Sequence, residues 1–241
     1  MWRDPSRGNQ TFQVRHVMSD GWGEPVQINR RPQSKMAFSD YEKEQLRESI
    51  GFLTLAFALA LSNGLFVVMD DPSILITTLP LAFAAVLTGF LLHELAHKWM
   101  AQQYGCWAEY RGNKNGLYFA LVMSALTGWL LAAPGAVMVS GRITDRQNGI
   151  IAAVGPITNI AIALIILPVY ILTDLMEGPI TIINELARFI VLINLILAGF
   201  NMIPFQPLDG SKVIVWSKGA YFAIIIAILA IFSLSPVPIL L

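Results

Sequence analysis

The chain has 241 residues, 55% of them hydrophobic and only 13% charged, with a mean hydropathy of +0.60. That balance argues against a water-soluble globule, which carries about twice the charged fraction, and points to a membrane protein. Sixteen basic and sixteen acidic side chains cancel, giving no sign of a nucleic-acid surface, and a lone cysteine, Cys106, excludes an intrachain disulfide framework or a cysteine-rich zinc cluster.

Residues 1–38 are polar and read as a tail or cap, in which the alternation of "TFQVRHV" at 11–17 suggests an edge strand. No apolar core lies near the start, so no cleavable secretory signal is expected. Ser39 and Glu42 form an S-x-x-E capping box, from which a helix is expected to start in water and continue into the bilayer. Six uncharged stretches follow: Ser49–Met69, Pro72–Leu92, Leu117–Gly141, Gly149–Thr173, Phe189–Leu208 and Gly219–Leu241. Each is about long enough to cross a hydrocarbon core of roughly 30 Å, so the expected fold is an all-α polytopic membrane domain over 39–241.

The basic residues give an orientation. If 117–141 enters the membrane and returns on the same side, fifteen of the sixteen Lys and Arg residues share one face, whereas a single crossing splits them twelve against four. The positive-inside rule therefore favours re-entry, with the N-terminus cytoplasmic. Pro134-Gly135 supplies the break, and "AVMVS" the extended return.

"LLHELAHKWM", 91–100, places three ionisable groups at the end of an apolar run. His93 and His97 are four residues apart, so on a helix their imidazoles share a face and can hold one metal ion. Glu94 lies beside the pair, positioned to take a proton from a coordinated water, as in the H-E-x-x-H zinc-hydrolase pattern. Intramembrane ionisable groups cost roughly 2.5–3.5 kcal/mol each at the bilayer centre on insertion scales, and such groups mark functional sites. A catalytic zinc site takes three protein ligands. His16, the one other histidine, sits in the polar tail, whereas Asp209 follows twenty uncharged residues and falls on the same membrane face as His93 and His97 if 117–141 re-enters. Pro204 and Pro207 are expected to unwind the chain just before it.

HELAH, "GPITN" at 155–159 and the N-x-x-P-x-x-P-L-D-G pattern at 201–210 occur in an order that resembles the site-2 protease family of intramembrane zinc metalloproteases. The resemblance covers about 74–215 and implies a three-helix catalytic core, one zinc ion held by His93, His97 and Asp209, and Glu94 as general base. It further implies that Asn159 and Asn201 bind substrate, and that a membrane-spanning protein is cut near the cytoplasmic side. The short polar loops leave no room for a PDZ-like insertion, and no CBS pair is visible, so a minimal form is expected. The alternative from another class is a membrane transporter or sensor that binds metal without catalysis.

Overall fold

The computed structural model describes residues 36–175 and 181–234. His16, the expected edge strand at 11–17 and the "SPVP" stretch at 235–238 lie outside the described residues.

Ser39 opens α1 (Asp40–Leu61) by accepting a hydrogen bond from the Glu42 amide, the half of the capping box that satisfies an orphan helix donor. The other half does not form, because the Glu42 carboxylate turns toward Lys98 and the Tyr110 amide. The first uncharged stretch is not one helix: α1 stops at Leu61, the chain turns through Ser62–Gly64, and α2 (Leu65–Asp70) follows. Gly64 takes φ +102 within 3.0 Å, measured from a built Cβ, of the Ala125 carbonyl, a place for glycine alone.

Next come α3 (Ile74–Ala85), a π-helical turn (Val86–Leu91) and α4 (Leu92–Gln103), which run as one continuous 30-residue span. HELAH therefore lies inside a helix that continues well past Leu92. Two strands follow, β1 (Trp107–Gly112) and β2 (Gly135–Ser140), paired antiparallel from Trp107 opposite Ser140 to Gly112 opposite Gly135. Between them α5 (Lys114–Thr127) ends in a left-handed Gly128, and the chain doubles back until the Asn113 amide donates to the Pro134 carbonyl at 2.8 Å. Residues 117–141 are thus half helix and half extended return.

The remaining helices are α6 (Asp145–Asp174), opened by a Thr144–Gln147 capping box, α7 (Thr181–Asn201), α8 (Asp209–Trp216) and α9 (Lys218–Leu234). Helix α7 starts before the uncharged stretch, with Glu185 and Arg188 one turn apart on it, and stops at Asn201 where the proline-bearing loop begins. Three spans, Ile74–Gln103, Asp145–Asp174 and Ile182–Asn201, are long and apolar enough to cross a membrane. The main core joins α6, α7 and α9 through Ala163, Val191, Leu195 and Ile228.

A polar seam secures α1 to this frame. Glu42, Gln45 and Ser49 fall at i, i+3 and i+7, on one buried face of α1. Glu42 Oε1 and Gln45 Oε1 accept the amides of Tyr110 and Gly112, at 2.9 and 2.8 Å, and the Tyr110 hydroxyl donates to Ser49 Oγ at 2.9 Å. Helix side chains thereby cap the outer edge of β1 where a third strand would otherwise pair. Lys98, the residue after His97, is fully buried and donates to Glu42 Oε2 at 2.5 Å and to the Ala37 carbonyl at 2.8 Å. Removing one member of such a pair leaves the other charge buried and uncompensated, at a cost of about 3–5 kcal/mol. Lys98→Met is accordingly expected to lower the thermal unfolding midpoint more than the double change Lys98→Met/Glu42→Gln. Equal loss in both would show that the pair is not coupled.

Candidate metal centre

His93 and His97 lie four positions apart on α4, which brings their rings face to edge with centroids 4.6 Å apart. Both Nε2 atoms converge on one oxygen, Asp209 Oδ2, at 3.2 and 3.1 Å. All three side chains are buried, and one ligand atom from each lies within 4.8 Å of the others. Asp209 gets there because α7 ends at Asn201 and the loop from Met202 to Leu208 folds back tightly. Gly210 follows at once, where a Cβ would sit 2.2 Å from the Met202 carbonyl oxygen.

The opposite ring nitrogens are anchored from α6. His97 Nδ1 donates to the Ile151 carbonyl at 2.7 Å, and His93 Nδ1 to Asn159 Oδ1 at 3.3 Å. With the protons on Nδ1, both Nε2 lone pairs face inward, the tautomer a metal ligand needs. Asn159 is itself fixed, since its Nδ2 donates to the Gly89 carbonyl at 3.2 Å. Gly89 belongs to the π turn, Val86–Leu91. Pro156, without an N–H, weakens the α6 ladder next to Ile151.

Ile151, Gly155 and Asn159 form one stripe of α6 at i, i+4 and i+8, and Gly155 is the centre of it. A Cβ built there lies 2.5 Å from His97 Nε2 and 2.6 Å from His93 Nε2. The missing side chain keeps open a space of metal-ligand dimensions in front of both nitrogens; Zn–N distances are about 2.0–2.1 Å. Two imidazoles and one carboxylate suit zinc and leave a fourth tetrahedral position open, so the residues present fit the ion.

Glu94 stands beside the trio rather than in it. Its Oε2 accepts the Val137 amide of β2 at 2.9 Å, and its Oε1 has no hydrogen bond among the described residues. Asn201 Nδ2 donates back to the Leu197 carbonyl at 2.9 Å. Cys106 takes no part: it is buried against Ala101, Ala108 and Ile151, and burial pushes its thiol up. Reading the sequence identifies the trio and Glu94 but misses Gly155, the Ile151 carbonyl and the Val137 amide. Spacing gives away the first, because Gly155 lies four residues before Asn159 on one helical face.

Curated relatives agree with this chemistry. A protein of Methanocaldococcus jannaschii named "Putative zinc metalloprotease" is 34% identical over 177 residues, covering 73% of this chain and 85% of its own length. A second protein of that organism, named as a zinc metalloprotease, is 26% identical over 132 residues, 55% of this chain and 32% of its own. A Bacillus subtilis relative, again named "Putative zinc metalloprotease", is 24% identical over 157 residues, 58% of this chain and 69% of its own. No family model matches the chain, and no solved structure is significantly similar to it.

Gly155→Ala is expected to fold but to bind no zinc, because its methyl would occupy the metal position. Asn159→Ala should keep the ion with about 10–100-fold weaker affinity, the usual cost of losing a ligand's outer hydrogen bond. Zinc content after dialysis against a competing chelator measures both, and full zinc occupancy in Gly155→Ala would contradict the geometry.

Proposed function

The chain belongs to a family of zinc metalloproteases, and from that membership we propose that it is an intramembrane endopeptidase of the site-2 protease type. The observation that carries the reading is the His93–His97–Asp209 trio with Glu94 beside it, the histidines and Glu94 lying on a helix apolar enough to cross a bilayer. A site for binding alone has no use for a carboxylate whose one oxygen is held by β2 and whose other is left unbonded.

His93, His97 and Asp209 would hold the zinc ion, which would supply Lewis acidity and lower the pKa of water at neutral pH. Everything else falls to the chain. Val137 fixes Glu94, whose unbonded oxygen accepts the proton of the attacking water and delivers it to the leaving amine. Ile151 and Asn159 hold the imidazoles in register. The Asn159 amide, engaged on both sides, acts here by orienting His93, while Asn201 is assigned to substrate on the family resemblance alone.

Substrate alignment follows from the sheet. Tyr110 and Gly112 turn their amides outward to α1, so their partners across the ladder, Val137 and Gly135, also face away from β1. The outer edge of β2 therefore runs past Glu94 with backbone groups available to an extended peptide. A membrane-spanning substrate has its carbonyls occupied by helical bonds and must unwind before it can lie there, so helix-breaking residues near the cut favour cleavage. In this reading α5 and its extended return re-enter the membrane from the face that holds fifteen of the sixteen basic residues, which is cytoplasmic, with the active site opening toward it.

Purified protein in liposomes is expected to cut single-pass reporter helices. Glu94→Gln should lower the rate by about 10²–10⁴-fold while retaining zinc. A strong zinc chelator should silence the wild type. Cleavage undiminished in Glu94→Gln, or a zinc-loaded wild type that cuts no reporter even with a Gly-Pro pair moved along the helix, would defeat the proposal.

A further inference from the structure

A groove of about 310 Å³ lies behind the metal stripe, between α4, α6, α8 and α9. On α6 it is lined by Ile150, Ala153, Val154 and Ile157, spaced i, i+3, i+4 and i+7, the stripe adjoining Ile151, Gly155 and Asn159. Trp216 of α8 and Ala223 of α9 face it from the other side, and every lining residue is apolar. With no polar side chain among its lining residues, the groove offers nothing to a hydrogen-bonding ligand and suits a hydrocarbon chain.

One end of the groove is charged. A Cβ on Gly149 would lie 2.2 Å from Trp216 Cβ, which sets the beginnings of α6 and α9 at one level. Arg146 is one turn before Ile150 on the same face of α6, and Lys218 is the first residue of α9. Both are exposed, and neither has an acidic partner among the described residues. Asp145, beside Arg146, projects about 100° around the helix. Trp216 between them is a residue favoured at membrane interfaces.

From this juxtaposition we propose that the groove holds one acyl chain of an anionic phospholipid whose phosphate is met by Arg146 and Lys218. Paired basic residues between membrane helices recognise such headgroups. The chain fills the space against one stripe of α6 and so supports the adjoining stripe that orients both histidines. The proposal rests on α6 and α9 lying in a bilayer, but not on proteolysis.

Native mass spectrometry of the full chain in mild detergent, with phosphatidylglycerol or phosphatidylcholine added, tests it. One phosphatidylglycerol per chain is expected to survive activation that strips phosphatidylcholine. Arg146→Gln/Lys218→Gln, at two exposed positions, should lose that preference by about thirtyfold, roughly fivefold per basic contact. Ala223→Phe, which fills the groove, should lose both lipids while keeping the wild-type zinc content and unfolding midpoint. Equal retention of the two lipids by the wild type, or undiminished retention in the double variant, would overturn the proposal. Displacement of the lipid by a single-pass reporter helix would also overturn it, by assigning the groove to substrate. Because the readout is lipid mass, an inactive but lipid-binding protein would separate failure of the protease reading from failure of this one.

Discussion

Two imidazoles and a carboxylate meeting at one point inside an apolar helix bundle is the constraint from which the rest of this structure follows. Each group is costly to bury, and each is made tolerable by a specific partner. His97 takes the Ile151 carbonyl, His93 takes Asn159, and Asp209 stands where one cation would bridge it to both imidazoles. Those partners sit beside irregular backbone: the π turn that carries Gly89, a proline within α6, and a proline-bearing loop that returns Asp209 to α4. The departures from regular helix are concentrated where the polar groups need them.

Glycine at 155 is the smallest part of this arrangement and the least replaceable. Helices α4 and α6 approach so closely that any side chain there would fill the space between the two Nε2 atoms. Close packing and metal access are therefore the same requirement. The second requirement, a base beside the metal, is met by a strand: β2 reaches Glu94 because β1 is held on its far edge by Glu42 and Gln45 of α1. Lys98, the residue that follows His97, closes the circuit by joining α4 to Glu42 of α1. The position of Glu94 thus depends on contacts made more than forty residues away in either direction.

Much of the site was legible in the sequence because its elements are short and chemically loud. HELAH fixes a helical face by spacing alone, and Asp209 stands out at the end of an uncharged run. Less legible was everything decided by tertiary packing. The capping box at Ser39 was half right, since the buried Lys98 competes successfully for Glu42. The uncharged stretch 49–69 reads as one span but breaks at Gly64, where the tip of α5 comes too close for a side chain. Residues 117–141 announce a break at Pro134-Gly135, yet nothing local says that the return strand pairs with 107–112. Strand pairing is set by partners distant in sequence, and the backbone amide of Val137 has no signature of its own.

Zinc K-edge X-ray absorption on the purified protein reads out whether one zinc ion is bound by His93, His97 and Asp209. The expected spectrum is a shell of nitrogen and oxygen only, near 2.0–2.1 Å, with the outer scattering of two imidazoles, and one imidazole fewer in His97→Ala. A sulfur shell near 2.3 Å, which would bring Cys106 to the metal, or a zinc site unchanged in His97→Ala, would contradict it.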